Sequence, residues 1–424
     1  MSDAALLPHM LELAAIGTDR LPQDARKMAK LSLFDWMVVS LAGANQPLAH
    51  IIRDFVAAEG GVAKATVIGS KLGLPARAAA LANGTISHAL DYDDTHFAYI
   101  GHPSVVILPV VMALMHDRDG DIVLPALIGA EVAVRVGLWL GRSHYQAGFH
   151  QTATAGAFGG FAAAGYILGL SAQQMRMGFG LVASRAGGLK AQFGTMAKPM
   201  NAGFAAQAAV EAALLIQNAV TANPDAVEIY GDLSAGAADI SALDRIGQDW
   251  FMTDVSHKFY ACCHGLHAAL EAFSTCDMDG ITTITVRTNP RWATVCNQIA
   301  PDTGLGAKFS YGTVLAMAAS GVDTADLNSF AEPFNLPPSS VALRDKVTIV
   351  FDDAVSETAA TVVVTYADGR TVTASHDLRA PQSLSVRQDK VMAKAAALIG
   401  GARAAEIQRA LAGHNTGPTL AALM

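Results

Sequence analysis

The spacing of hydrophobic and polar residues divides the chain into two parts, and the first runs from about residue 5 to residue 270. Apolar side chains recur there every three to four positions, as on the buried face of a helix. Met28, Leu31 and Val38 follow this spacing, and Gly43 ends the stretch. The same pattern predicts helices at 26–42, 76–90, 104–115, 124–140 and 203–218, and one that begins from a capping box formed by Ser171 and Gln174.

The pattern changes after about residue 278, where apolar and polar residues begin to alternate. Residues 281–288 and 346–351 alternate as strands do. Residues 361–376 form a predicted hairpin, because Asp368-Gly369 is a turn sequence that suits the twist of paired strands. Helical spacing occurs between the strands at 310–320 and 323–331, and it returns after them at 384–412.

These elements predict a mainly α fold with two domains, which a chain of 424 residues is long enough to form. We expect a large all-helical domain from residues 1–270 and 384–424, and a smaller α/β (α+β) lid domain from residues 271–383.

Residues 153–172 are uncharged and long enough to cross a bilayer. Ala and Gly dominate that stretch and basic flanks are missing, so it is interpreted as a buried helix. A membrane carrier is the alternative interpretation.

Composition narrows the class of protein. The chain is 52% hydrophobic and 16% charged, with a net charge of −8 and no run of Lys or Arg, which argues against a nucleic-acid surface. The apolar excess would also fit an obligate homo-oligomer. Its four cysteines, Cys262, Cys263, Cys276 and Cys296, contain no CxxC motif and fit a reducing cytoplasm. Residues 1–8 lack the basic and apolar regions of a signal peptide, so secretion is not expected.

Ionisable residues are concentrated in the segment 83–104. Crowded charges in an apolar chain shift one another's pKa, and clusters of this kind mark sites where protons are moved. The alternative is a solvated loop that is merely acidic. The segment contains His88, Asp91, Asp93, Asp94, His96 and His102.

Two further clusters carry candidate proton donors and acceptors. In residues 143–154, Tyr145 and His150 precede a Gly/Ala-rich helix whose N-terminus would suit a bound carboxylate. The alternative is that His150 only caps the helix and Tyr145 only packs.

Lys198 lies between small residues and Pro199, ahead of the helix expected from Gly203. A lysine in such a setting can act as a base or pair with a substrate carboxylate, unless it is simply a surface residue.

The segment 258–267 contains two lysine or histidine candidates, Lys258 and His267, around adjacent cysteines. Cys262-Cys263 lacks the gap that structural zinc sites use, and the chain has neither a GxSxG motif nor a P-loop. We therefore expect no cofactor and no metal. Carboxylates, histidines, lysines and tyrosines together favour proton abstraction next to a carboxylate, with Lys198 and Lys258 binding the anionic intermediate.

Five segments together resemble the MmgE/PrpD family. The resemblance implies a large helical domain with a smaller α/β lid, a homodimer, a site in the cleft between the domains, and small polycarboxylate substrates without a metal cluster. The segments are Asn83-Gly-Thr…His88-Ala-Leu-Asp91-Tyr-Asp93-Asp94, His102-Pro-Ser, Gly148-Phe-His150-Gln-Thr, Lys198-Pro-Met-Asn-Ala-Gly and Lys258-Phe-Tyr-Ala-Cys-Cys-His-Gly-Leu-His267.

The resemblance also implies roles for single residues. Tyr145 follows His144 as in the branch of the family that epimerises iminodisuccinate, so our first hypothesis is a two-base epimerase in which Tyr145 and Lys198 act on opposite faces of one carbon. Tyr311 follows Lys308-Phe-Ser without the Leu-Pro pair that the family often has. The expected catalytic residues are Tyr145, Lys198, His102 and His150, and the expected substrate-binding residues are Asp91, Asp93, Lys258, His267 and Tyr311.

Two alternatives to the epimerase stay open. Within the family, a 2-methylcitrate dehydratase or a cis-aconitate decarboxylase would use the same side chains. Outside catalysis, the chain could be a dicarboxylate-binding protein, for which tight binding without proton exchange is expected.

Overall fold

A computed structural model of the chain describes residues 5–413 and 417–424, apart from the side chain of residue 19. The first residues, on which the expectation of no signal peptide partly rests, lie outside this range. The chain divides into two compact units, Met1–His257 with Ile399–Met424 and, separately, Lys258–Leu398. The segment around Lys258 and His267 therefore belongs to the second unit.

The first unit is built almost entirely of helices. The helices predicted from periodicity are present, and the capping box is confirmed by reciprocal hydrogen bonds between Ser171 and Gln174 at 2.9 and 3.3 Å. The helices are α1 (Leu6–Ala14), α2 (Gln23–Gly43), α3 (Pro47–Glu59), α4 (Ala76–His88), α5 (Ser104–Met115), α6 (Val123–Gln146), α7 (Gln151–Leu168), α8 (Ala172–Ala183), α9 (Ala197–Gln217) and α10 (Ala226–Leu233), followed after the second unit by α16 (Gly401–Ala412) and α17 (Gly417–Ala421).

Glycines let two of these helices touch backbone to backbone. A Cβ on Gly84 of α4 would lie 2.9 Å from the Cα of Gly203 in α9, and a Cβ on Gly203 would lie 2.4 Å from the carbonyl oxygen of Leu81. Only glycine fits at such a distance. The contact lies about one helical turn before the end of α4 and nearly two turns after the start of α9, so it brings those two helix ends together.

The expectation of an all-helical first domain is wrong in one detail. Two short antiparallel strands, β1 (Ala65–Thr66) and β2 (Gly73–Leu74), lie between α3 and α4. The buried amide of Asn83 fixes this hairpin, since it accepts from the N–H of Ile68 and donates to the carbonyl of Thr66, both at 2.9 Å. Strands of two residues are too short to produce a visible alternation of apolar and polar positions.

The second unit combines helices with a mixed sheet of strand order β4-β3-β5-β6. β3 pairs parallel with β4 and antiparallel with β5, and β5 and β6 form the predicted hairpin around Asp368-Gly369. The elements are α11 (His267–Phe273), β3 (Ile281–Thr288), α12 (Gly304–Ala307), α13 (Tyr311–Ala319), α14 (Pro338–Arg344), β4 (Val347–Phe351), β5 (Ala359–Tyr366), β6 (Thr371–Asp377) and α15 (Leu384–Ile399).

Three predicted helices differ from the structure in physically informative ways. Within 323–331 only a short 3₁₀ turn forms, Leu327–Phe330. The predicted helix at 384–412 is two helices, because Gly400 adopts a φ of 79° between α15 and α16. The helix expected from Gly203 begins earlier, at Ala197. Pro199 is tolerated there because the first turn of a helix has no partners for its backbone N–H groups.

Among the described helices, α6 has the length and the apolar composition that could cross a membrane, and 94% of its apolar window is buried within the fold. A buried core helix meets the same criteria of length and composition. The uncharged stretch that drew attention in the sequence, 153–172, lies mostly in α7, whose residues from Gln151 to Gly165 are buried.

Candidate active site

The candidate site of the first unit begins where α4 ends at His88. Asp91, three residues on, adopts a φ of 51°, and its N–H is bonded to the carbonyl of His88 at 3.1 Å. Aspartate tolerates this left-handed conformation better than most residues. The sharp turn separates the side chain of Asp91 from that of Asp93, so the two carboxylates approach His102 at different ring nitrogens.

Asp93 lies between two imidazole rings. His88 Nδ1 is 2.9 Å from one of its oxygens, and His102 Nδ1 is 2.7 Å from the other. Burial alone would raise the pKa of this fully buried carboxyl, but the charges and hydrogen bonds of His88 and His102 hold it well below its ordinary value. Asp93 is therefore a permanent anion that fixes both rings with their Nδ1 atoms towards it.

Lys198 reaches the same place from the first turn of α9. Its Nζ lies 2.8 Å from one oxygen of Asp91, and the other oxygen of Asp91 is 3.6 Å from His102 Nε2. Its ammonium also lies 5.3 Å from the centre of the Phe193 ring. The sequence placed Lys198 in a loop ahead of the helix, and this is wrong: the helix itself presents it.

His150 occupies the N-cap position of α7 but makes no capping hydrogen bond with its side chain. Its ring lies 6.1 Å from that of His88, and the Asn201 amide nitrogen is 3.2 Å from its Nδ1. Burial lowers the pKa of His150 well below its ordinary value, and the nearby His88, Lys198 and His102 lower it further. The ring is neutral at physiological pH.

The first turn of α7 is also linked to the loop that carries His102. The N–H of His102 donates to Thr152 Oγ1 at 3.1 Å. His88, Asp91, Asp93, His102, His150 and Lys198 therefore belong to one connected group, supplied by the end of α4, the following loop and the starts of α7 and α9.

Asp94 supports this group, and the sequence assigned it no separate role. It accepts from the N–H and the hydroxyl of Ser104, at 3.2 and 2.6 Å, and so holds the start of α5 two residues beyond His102. Burial, together with the charges of Asp35 and Asp93, raises the pKa of Asp94 to about 7. Its place beside other acidic residues was visible in the sequence, but its burial was not.

Tyr145 is engaged by a different lysine. The ammonium of Lys190 lies 3.7 Å from the centre of the Tyr145 ring and 3.0 Å from its carbonyl oxygen. Lys190 was not singled out from the sequence, because nothing local distinguishes it from a surface lysine. The expected roles of Tyr145 and Lys198 as acid and base on opposite faces of one carbon stay a prediction.

The remaining candidates belong to the second unit. Lys258 and His267 are buried, and His267 Nε2 donates to the carbonyl of Cys262 at 3.3 Å. Burial, with the nearby Lys258 charge, lowers the pKa of His267 to about 3. The Tyr311 hydroxyl is fully buried and donates to the carbonyl of Gly265 at 2.8 Å. Tyr311 is thus already engaged inside its own unit, and its expected contact with substrate stays a prediction.

Four side chains of the site also have the chemistry of metal ligands. Among the described residues, His88, Asp91, Asp93 and His102 each offer one nitrogen or oxygen atom within 4.8 Å of the others. Asp93 accepts hydrogen bonds from Nδ1 of both His88 and His102, so an ion bound at those two nitrogens would have to displace their protons. The arrangement as it stands is suited to proton transfer and to binding carboxylates: it combines one ammonium, a histidine beside a permanent anion, and a neutral buried histidine.

Comparison with known proteins gives two family matches. The MmgE/PrpD N-terminal domain matches residues 13–233, and the MmgE/PrpD C-terminal domain matches residues 260–413.

Curated relatives of the chain are named cis-aconitate decarboxylase. The protein of Aspergillus terreus is 28% identical over 280 residues, which are 61% of this chain and 57% of that protein. The protein of Homo sapiens is 29% identical over 233 residues, 53% of this chain and 47% of that protein. Cis-aconitate decarboxylase-like protein oryM of Aspergillus oryzae is 26% identical over 412 residues, 83% of this chain and 81% of that protein. The chain thus spans a little over half the length of the first of these relatives.

Proposed function

This chain belongs to the MmgE/PrpD family, and we propose that it is a lyase that decarboxylates a small unsaturated polycarboxylate of the cis-aconitate type. One observation carries the proposal: Lys198 and His102 each lie against an aspartate, at 2.8 and 2.7 Å, in one connected group. The group thus pairs a cation for a substrate carboxylate with a proton donor for the reacting carbon.

The chemistry requires both functions. When cis-aconitate loses carbon dioxide from its CH₂–COO⁻ arm, the electron pair of the broken C–C bond forms a new C=C bond. The original C=C pair moves to the far vinylic carbon, which takes up one proton. A trianion and a proton thus become carbon dioxide and the dianion itaconate. The protein must hold the carboxylates that stay behind, stabilise negative charge as it moves, and supply that proton.

We assign carboxylate binding to Lys198. In the structure its partner is Asp91, and their side chains are 18% and 37% exposed. The pair is partly exposed, so a substrate carboxylate can compete with Asp91 for the ammonium.

We assign proton delivery to His102. Its Nδ1 is hydrogen-bonded to Asp93 and its Nε2 faces Asp91 at 3.6 Å, so a carboxylate beside each nitrogen favours the cationic ring. Asp93, as the permanent anion, fixes the orientation of the ring and stabilises its positive charge, the role that aspartate has in hydrolytic triads. Nε2 is then the atom that gives its proton to the carbon.

The epimerase hypothesis now ranks second. It needs Tyr145 and Lys198 on opposite faces of one carbon, and it ranks second because the named relatives are lyases. Dehydration of 2-methylcitrate is also a lyase reaction. The same cation would hold the carboxylates and the same acid would protonate the leaving hydroxide, but a base must in addition take the proton lost from the neighbouring carbon. A binding protein without chemistry is the remaining alternative.

The test is proton NMR of the purified full chain in deuterated buffer with cis-aconitate, 2-methylcitrate and iminodisuccinate in separate samples. Itaconate carrying one deuterium at its CH₂ next to the carboxylate supports the proposal. A new alkene from 2-methylcitrate alone makes the chain a dehydratase, and deuterium exchange with stereoisomer interconversion in iminodisuccinate makes it an epimerase. If the ligands shift the protein's signals but no substrate is converted, the result supports the alternative of a non-catalytic binding protein.

A matched pair of variants shows whether this site is responsible. Lys198→Met removes the proposed carboxylate ligand, whereas Lys71→Met removes an exposed lysine elsewhere in the first unit. Itaconate formation should fall about a hundredfold or more in the first variant and be unchanged in the second. Equal activity in both variants would place the reaction elsewhere.

A further inference from the structure

We infer that Asn201 is a positioning residue that fixes His150 as its Nε2–H tautomer, so that this ring presents a neutral hydrogen-bond donor, and not a base, to a substrate carboxylate. The tautomer stands on geometry alone, whereas the contact with a carboxylate rests on the proposed function.

The orientation of the Asn201 amide determines which ring nitrogen carries hydrogen. Its Nδ2 lies 3.4 Å from the carbonyl oxygen of Leu189 and 3.2 Å from His150 Nδ1. A carbonyl oxygen can only accept, so the amide group that faces it must be the NH₂. The second N–H of the same group then points to His150 Nδ1, which must accept and therefore carries no hydrogen.

The local backbone keeps the amide from turning over. Phe149 and Leu189 form an antiparallel bridge, and the N–H of His150 is bonded to the carbonyl of Gly188 at 3.0 Å. His150 and the Leu189 carbonyl are thus parts of one paired segment. A flipped amide would set its oxygen against that carbonyl, two acceptors face to face inside the protein, which is unfavourable because neither gains a hydrogen bond.

The surroundings disfavour a second proton on His150. The ring is 2% exposed and Asn201 is 6% exposed. The charged and titratable groups that act on the ring are His88 from α4, Lys198 from α9, and His102 and Asp91 from the loop after α4. Burial and the charges of His88, Lys198 and His102 lower the pKa of His150, whereas the charge of Asp91 raises it. A donor from Asn201 at Nδ1 works in the same direction.

A neutral Nε2–H has a specific use in this group. It can donate to a carboxylate or enediolate oxygen while leaving the substrate's carbon acid untouched, since it has no lone pair to take a proton. Lys198 and His150 then bind the anion, and His102 alone moves the proton. This division differs from the sequence expectation, which counted His150 among the proton carriers.

The first test reads the tautomer directly from the nitrogen chemical shifts of the chain labelled with [¹⁵N]histidine. The His150 signal is identified by its loss in His150→Gln. The wild-type protein should show a pyridine-type Nδ1 and a protonated Nε2. In Asn201→Asp the side chain offers only acceptors, so His150 Nδ1 should become protonated. The control is Asn218→Asp, an exposed change at the end of α9, which should leave the His150 signal unchanged. A protonated Nδ1 in the wild-type protein would overturn the inference, whatever the reaction proves to be.

The second test asks what the ring does. His150→Gln keeps an N–H near the position of Nε2, and His150→Phe keeps the ring shape without a donor. If His150 only donates, the Gln variant should retain at least about a tenth of the wild-type kcat/KM, and the Phe variant should lose about a hundredfold or more. Equal losses in both would overturn the donor role.

The pH profile separates positioning from mere packing. Asn201→Ala should lower kcat/KM about ten- to a hundredfold with little change in the shape of the profile. Asn201→Asp should add an ionisation of His150 that the wild-type profile lacks, and an unchanged profile would contradict the inference. If the wild-type protein converts none of the substrates, the proposed function fails, and the nitrogen shifts still decide the tautomer.

Discussion

Asp91 and Lys198 form an ion pair, 2.8 Å between Oδ2 and Nζ, that joins the turn after α4 to the first turn of α9. The backbone of Asp91 is held in the left-handed region, with a φ of 51°. The pair is partly exposed and close to His102, which is consistent with the proposed binding of an anionic substrate at Lys198. Exchange of one carboxylate for another there keeps Lys198 neutralised throughout.

Asp91→Asn should separate binding from chemistry. The amide cannot neutralise Lys198, so the ammonium is more available to a substrate carboxylate and KM should fall severalfold. The cationic form of His102 loses one of its two carboxylates, so kcat should fall about tenfold or more. Steady-state rates of itaconate formation measure both constants. A rise in KM with unchanged kcat would show that Asp91 itself contacts the substrate.

Asp93→Asn should abolish most of the activity. The buried anion between His88 and His102 is replaced by a neutral amide, which neither fixes both Nδ1–H donors nor stabilises the cationic ring. A loss of about 10²–10⁴ in kcat is expected, comparable to the same change in hydrolytic triads. Circular dichroism should show the helical fold retained; a rate close to wild type would remove Asp93 from the mechanism.

Asp94 should make the free energy of unfolding depend on pH. Its pKa is raised to about 7 from an ordinary 3.8. The folded protein therefore holds a proton that the unfolded chain releases between these values, and stability falls as the pH rises through that window. Asp94→Asn stays neutral and should remove this decline, gaining roughly 2–3 kcal/mol relative to the wild-type protein between pH 5 and pH 8.

Urea unfolding of the wild-type protein and of Asp94→Asn at both pH values measures this difference. Asp54→Asn, an exposed aspartate of α3, is the control and should follow the wild-type protein. A constant difference between the Asp94 variant and wild type at pH 5 and pH 8 would mean that Asp94 is ionised throughout.

Arg135 and Glu131 form a buried ion pair within α6, 2.7 Å apart and fully shielded from solvent. Arg135 also donates to backbone carbonyls of residues 242, 244 and 249, and Glu131 accepts from the N–H groups of residues 251 and 252. Arg135→Met should destabilise the protein by about 3–5 kcal/mol, because it leaves a buried carboxylate without its cation. Thermal unfolding should show partial recovery in Arg135→Met with Glu131→Gln; a single variant as stable as wild type would contradict this role.

Local sequence patterns predicted well those elements that are determined by residues within the element itself. Residues 281–288 coincide with β3 and alternate from Ile284 onwards, and Asp368-Gly369 sets the hairpin because the turn chemistry is contained in two residues. The start of α9 was misplaced for a related reason. The residue before a proline usually leaves the helical region, yet Pro199 lies inside the first turn of α9, where its missing N–H costs no hydrogen bond.

The site shows the same limit. His88, Asp91, Asp93 and His102 could be grouped from the sequence because they are neighbours in the chain. The contact of His150 with Asn201 spans 51 residues, and Asn201 looks in the sequence like any polar residue of a helix. Tyr145 could not be matched with Lys190 for the same reason. Long-range partners are chosen by packing, which no local pattern encodes.

The close approach of Gly84 and Gly203 makes the distance between α4 and α9 adjustable by single methyl groups. A Cβ on Gly203 would lie 2.2 Å from Thr85 Oγ1, so alanine there must drive the helices apart by a fraction of an ångström, and serine by more. A series from glycine to alanine to serine would increase in steps the distance between Lys198 on α9 and the anion that it binds, while every charged group stays the same. It offers a calibration of how activity depends on geometry alone, which substitutions of the site residues cannot provide.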